Sequence, residues 1–208
     1  RGRKEARHAR LGEDKGGDVG ENVGMVVADS LATAQAAAEL VTVTYEELPA
    51  VVDLASAASA AEIHHGMANN TYFDWELGDE AATADALSKA KHVVSATLRN
   101  NRLIPNAMEP RAAVAEYDAI ADSYVLHSTT QNPHLLRLVI CAFVLNIPES
   151  KMQIVAPDVG GGFGSKIYLY AEEACCTWAS KKLRRPIKWT AGERLLHALL
   201  LVEAGRLL

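Results

Sequence analysis

Asp158-Val159-Gly160-Gly161-Gly162-Phe163-Gly164-Ser165-Lys166 places four glycines within five positions. Before it runs Met152-Gln153-Ile154-Val155-Ala156-Pro157, apolar and partly β-branched, which reads as a buried strand. After it comes Ile167 to Leu183, of helical length and Ala-rich. A glycine-rich link between strand and helix lets a ligand approach the main chain closely. It also permits positive φ, so that successive N–H groups converge on an anion or an oxo group. Without a ligand, the same stretch is a tight turn and no more. Spacing excludes the two commonest phosphate loops. A P-loop needs Gly-Lys followed by Ser or Thr, whereas here Ser165 precedes Lys166 and Ile167 follows it. The dinucleotide fingerprint needs a third glycine where Ser165 or Ile167 stands.

The formal net charge of -5 argues against a general nucleic-acid binder. No apolar run approaches the roughly 18 residues that span a bilayer, and the start carries no secretory h-region. Cys141, Cys175 and Cys176 lie in apolar or helical context without zinc or iron–sulfur spacing. They read as buried structural thiols in a reducing compartment, which is the cytoplasm.

Residues 1–20 are basic and nearly free of large apolar side chains, the pattern of a solvated, disordered tail. Val23 to Ala28 reads as a strand, Asp29 or Ser30 as a cap, Leu31 to Leu40 as a helix and Val41 to Tyr45 as a second strand. Ala50 to Ala61 is an Ala/Ser-rich connector, His64 and His65 are loop histidines rather than a metal pair, and Glu80 to Ala90 is helical. The alternation from Val93 to Arg99 predicts a strand. Ala112 to Tyr117 and Ser123 to His127 predict two more, turned at Asp118 to Asp122. Pro105-Asn106-Ala107-Met108-Glu109-Pro110-Arg111 is an irregular crossing in which Glu109 reads as a hydrogen-bonded anchor rather than a functional acid. Ser128-Thr129-Thr130-Gln131-Asn132-Pro133-His134 ends a strand and opens a helix over Leu135 to Leu145. Ser128, Thr129 or Asn132 could cap that helix, but glutamine is a poor cap, so Gln131 stands out. Arg184 to Thr190 reads as a strand with a polar entry, and the Leu-rich Ala191 to Leu208 as a helix.

Ala107-Met108-Glu109-Pro110-Arg111, then Ser128 to His134, then Asp158 to Lys166, in that order and spacing, resemble the molybdenum-binding large subunit of the xanthine oxidase family of molybdenum hydroxylases. The wording is most similar to large chains of the carbon monoxide dehydrogenase type, from about Val23 to Thr190. The resemblance implies an α/β (α+β) fold: the end of an α/β hammerhead-like domain over 21–53, a connector over 54–78, and the first part of a molybdenum-cofactor domain, with mixed sheet and helices, over 79–190. An atypical tail follows over 191–208.

It further implies a molybdenum–pyranopterin cofactor, in the cytosine dinucleotide form, contacted by Gly161, Gly162, Phe163 and Gly164. The amide of Gln131 would hydrogen-bond an oxo ligand of the metal, and no side chain would ligate the metal directly. The partners implied are a small iron–sulfur subunit and a medium FAD subunit in a hetero-oligomer, with a small-molecule substrate, no nucleic acid and no membrane segment. The reaction implied is oxidation of carbon monoxide, or of a small aldehyde or heterocycle, with water as oxygen source. Ile167 stands where purine-oxidising relatives carry a glutamate, which disfavours a xanthine-type substrate. Catalytic residues are expected outside the 208 residues, with the general base beyond the C-terminus, and both ends are expected to be those of a gene fragment, inactive alone. The competing reading is a non-catalytic binding or assembly module with a structural glycine loop.

Overall fold

The computed structural model describes residues 20–101, 103–192 and 199–204. The basic stretch expected to be a disordered tail thus lies, but for Gly20, outside the described residues. The described residues divide into two compact units, one within 47–104 and the other within 20–46 and 105–204. The first contains α2 (Glu80–Lys89), begun by Asp79, whose carboxylate accepts from Ala82 N at 2.9 Å. His64 and His65 sit in a turn of this unit, with Met67 N donating to the His64 carbonyl.

The second unit is built on a six-stranded mixed sheet: β1 (Gly24–Ala28), β2 (Ala112–Asp118), β3 (Ser123–Ser128), β4 (Met152–Val155), β5 (Ile187–Thr190) and β6 (Leu199–Ala204), in the order β1-β6-β5-β2-β3-β4. Three helices accompany it: α1 (Leu31–Ala38), α3 (Pro133–Val139) and α4 (Ala171–Leu183). Ser30 caps α1 by accepting from Thr33 N. The hairpin β2–β3 has the expected alternation, with Ala113, Ala115, Tyr124 and Leu126 turned into the core. Asp118 holds its turn by accepting from Ile120 and Ala121 N. α4 covers β2 and β5 with Cys175, Cys176 and Ala179, and Leu136 and Ile140 fill the space beside β4.

β3 and β4 are parallel neighbours, Tyr124 to Met152 through His127 to Val155, joined through α3. Their C-terminal ends therefore lie at one edge of the sheet. The turn holding Gln131 leaves one end and the glycine loop leaves the other.

Four expectations need correction. Val41 to Tyr45 forms no strand; Val41, Val43 and Tyr45 are exposed, with no neighbouring strand among the described residues to complete a ladder. Val93 to Arg99 forms none either, for the same reason: Val94 and Leu98 are each more than nine-tenths exposed. Alternation marks which faces could be buried, but a strand also needs an edge to pair with. Within Ala191 to Leu208, residues 199–204 are not helical. They form β6, parallel to β1 and antiparallel to β5, where a run rich in Leu and Val suits a strand flanked on both sides. Residues 193–198 and 205–208 lie outside the described residues. The helix expected over Leu135 to Leu145 is α only as far as Val139. It widens into a π-type turn over Ile140–Leu145 and ends at Asn146 in the left-handed region.

Candidate functional site

Thr129 closes the end of the β2–β3 ladder: its hydroxyl accepts from Ala112 N at 3.1 Å and its own N–H donates to the Ala112 carbonyl. Asn132 caps α3 by accepting from Leu135 N. Gln131 between them is committed to neither ladder nor cap. Its backbone N–H donates to the Lys166 carbonyl at 2.9 Å, and its side-chain Oε1 accepts from Gly164 N at 3.0 Å and Lys166 N at 3.3 Å. Oε1 is thus held by backbone donors, while Nε2 has no protein partner among the described residues and the side chain is exposed.

The loop is shaped to match. A Cβ on Gly162 would fall inside the Gln131 amide, so no other residue fits there without moving that side chain. Gly161 and Gly164 both have φ of +93°, and Phe163 takes a φ of +50°, in a region that non-glycine residues rarely occupy. Its ring is nevertheless 74% exposed. Strained backbone bearing an unburied aromatic ring serves no core, and such strain is concentrated at functional sites.

The irregular crossing holds the loop from the other side. Glu109 Oε2 accepts from Gly160 N at 2.8 Å and from Lys166 Nζ at 2.7 Å, and the Glu109 N–H donates to the Gly160 carbonyl. The Lys166 ammonium and the Gly160 N–H hold the Glu109 carboxyl below its ordinary range. Glu109 is therefore an anchor. Arg111 takes the far end of the loop, with Nη1 on the Ser165 carbonyl at 3.0 Å and Nη2 on that of Tyr168 at 2.7 Å. The same Nη2 reaches both oxygens of Glu173, at 3.0 and 2.9 Å, and the guanidinium lies 3.8 Å from the centre of the Tyr170 ring. Glu173 is fully buried and also accepts from Ser128 Oγ at 2.6 Å and Tyr170 N at 3.0 Å.

The reading of single motifs missed this Arg111–Glu173 pair and the burial of Lys166. A signal was present for the pair. Glu173 shares a helix with Ala174, Cys175 and Cys176, and a carboxylate on the buried face of an apolar helix needs a cation. Cys141 and Cys176 are buried, and burial pushes both thiols up, so neither is poised as a nucleophile.

Residues 63–195 match the family model described as "Molybdopterin cofactor-binding domain". The chain is 37% identical over 187 residues to the carbon monoxide dehydrogenase large chain of Hydrogenophaga pseudoflava, covering 81% of this chain and 23% of that one. The chain belongs to the large-subunit family of the molybdenum hydroxylases. Another member, the nicotine 6-hydroxylase large subunit of Paenarthrobacter nicotinovorans, is 34% identical over 176 residues, 85% of this chain and 21% of that one. Among solved structures, the Cu,Mo-CO dehydrogenase in its carbon monoxide reduced state superposes with a TM-score of 0.70 at 33% identity. That match covers 79% of this chain and 22% of the other. The chain thus spans between a fifth and a quarter of the length of these relatives.

The residues present fit the cofactor that this family's domain is named for. Among the described residues no group of three or more His, Cys, Asp or Glu side chains is placed to hold a metal ion. The loop offers a Cβ-free position at Gly162, open space at Gly164 and an amide whose donor end is uncommitted. That is a donor set for an anionic or oxo-bearing group.

Proposed function

We propose that this chain is the part of a molybdenum hydroxylase large subunit that holds the metal end of a molybdenum–pyranopterin cofactor, in its cytosine dinucleotide form. The contacts are Gln131, Gly161, Gly162, Phe163 and Gly164. The observation that carries this reading is the locked Gln131 amide, its oxygen held by the loop's own N–H groups and its NH2 left to donate outward. When bound, the cofactor supplies the two-electron redox chemistry of hydroxylation, with water as the oxygen source.

The chain's own residues supply position and charge. Gln131 Nε2 donates to an anionic group of the cofactor, stabilising negative charge without adding a ligand that competes at the metal. The absence of a side chain at Gly162 leaves the Gln131 amide its place against the loop, and the exposed Phe163 ring is free to pack against the cofactor. Arg111 and Glu109 keep the loop from relaxing. In the full-length subunit the substrate is carbon monoxide, a small aldehyde or a heterocycle, in line with relatives named for carbon monoxide and for nicotine. Iron–sulfur and FAD subunits take the electrons in a cytoplasmic hetero-oligomer. The catalytic base lies in parts of the subunit outside these 208 residues, so this chain alone turns nothing over. Residues 21–53 form the end of a hammerhead-like domain, and 79–190 the first part of the cofactor domain.

The test is to purify the full-length gene product from a host that makes the cofactor. Its molybdenum, its pterin and the nucleotide released on denaturation are measured first. Dye-linked oxidation of carbon monoxide, an aldehyde and an N-heterocycle follows. Stoichiometric molybdenum, release of CMP and turnover of one of the three are expected. A folded product without metal or pterin would leave the glycine loop as a packing turn of an assembly module.

A further inference from the structure

Lys166 occupies a place in the site that the preceding reading does not use. Its side chain is 3% exposed, against 30% for that of its ion-pair partner Glu109. Its backbone is tied to the Gln131 turn from both sides. Lys166 N donates to Gln131 Oε1 at 3.3 Å, while the Lys166 carbonyl accepts from Gln131 N at 2.9 Å and Thr130 Oγ1 at 3.2 Å. Thr130, 1% exposed, is itself fixed in that position and accepts from Asn132 N. Lys166 therefore joins three segments that are distant in sequence: the turn after β3, the end of the glycine loop, and the crossing that carries Glu109.

An alkylammonium in so dry a place is held by its partner. Glu109, fixed by Lys166, in turn holds the Gly160 N–H at the other end of the loop. Gly160 runs so close to Glu109 that a Cβ there would stand 2.6 Å from the Glu109 Cβ, so the two segments pack directly against each other. A side chain that settles both ends of a five-residue loop, and whose backbone aims the amide beside it, affects more than stability.

We propose that Lys166 and Glu109 are positioning residues: their ion pair closes the glycine loop onto Gln131 and so sets the direction in which Gln131 Nε2 donates. This rests on the proposed function for what the amide donates to. The closure itself depends only on the contacts above. The pair touches no substrate and is not catalytic. Loss of either charge frees the Gly160 end, lets Gly164 and Lys166 N–H drift from Oε1, and leaves the amide free to rotate.

The experiment uses the full-length subunit with its cofactor supply, as wild type, Lys166→Met, Glu109→Gln and the double variant. Hydrogen exchange at the amides of Gly160, Gly164 and Lys166 is compared with that of Ala115 and Leu126 in the hairpin, and kcat and KM are measured separately. Each single variant should speed loop exchange at least about tenfold and leave the hairpin unchanged. It should lower kcat by about 10- to 100-fold with KM nearly constant, as for a misplaced group. The double variant, free of an unpaired charge, should recover thermal stability without recovering loop protection or kcat. Unchanged loop exchange in the single variants, faster exchange at every amide alike, or full recovery in the double variant would each reduce the pair to a fold staple. If the wild type holds no molybdenum or pterin, the functional reading fails on that result, while loop exchange still decides the positioning claim.

Discussion

The Gln131 amide cannot be turned over, because a flip would set Nε2 against the N–H groups of Gly164 and Lys166, donor against donor. Gln131→Glu separates the two ends of that amide. A carboxylate still accepts from both N–H groups but has nothing to donate. The full-length enzyme should therefore keep its fold and loop protection and lose about 10²–10³ in kcat, the usual cost of one charge-stabilising donor. Steady-state kinetics beside a thermal melt would show it, and a near-wild-type kcat would remove the donor role. The acid dependence of the glycine loop belongs to Glu109. Its carboxyl sits below the ordinary 4.5 when folded, so its contribution is complete above that value and is lost as pH falls through the lowered one. Exchange at Gly160 should accelerate in that acid window, and Glu109→Gln should lack that step.

At the scale of elements, the crossing Ala107 to Arg111 works as a clasp. Arg111 binds the loop's exit and the first turn of α4 together through Glu173, with both side chains buried at 7% and 0% exposure. Arg111→Met would strand a buried carboxylate and should cost about 3–5 kcal/mol in a denaturant titration. Adding Glu173→Leu should return much of that loss, whereas an unchanged midpoint in Arg111→Met would show that the clasp carries no stability. The sequence showed the strand–glycine–helix order and the hairpin, and it narrowed the cap of α3 to Ser128, Thr129 or Asn132, of which Asn132 serves, because each is written in neighbouring residues. It did not show the clasp, because Arg111 and Glu173 lie 62 positions apart. Nor could it show that Val41 to Tyr45 and Val93 to Arg99 stay unpaired, since pairing depends on a neighbour and not on alternation. Gln131 stood out for a chemical reason: glutamine is a poor cap, and the structure gives the ladder end to Thr129 and the cap to Asn132.

Across the whole second unit, β6 joins the part of the sheet that comes early in the chain to the part that carries the site. Among the described residues β1 pairs with β6 alone, and β6 reaches β5 on its other side. Removing residues 199–208 should leave β1 without a neighbour and open an edge on β5. Hydrogen exchange should then show β1 unprotected while β2, β3 and β4 keep their protection, with a greater tendency to aggregate. Protection retained in β1 would contradict the pairing. The loop and Gln131 sit beyond β3 and β4, at the far side of the sheet from that loss.

The central claim is that the loop and the Gln131 amide together hold the cofactor. Gly162 is its sharpest point, because any side chain there enters the space of that amide. The most direct measurement is the molybdenum and pterin content of the full-length protein, wild type against Gly162→Val, with folding checked by circular dichroism. A stoichiometrically loaded wild type and a folded but empty variant are expected. A folded Gly162→Val protein carrying as much molybdenum and pterin as the wild type would contradict the account.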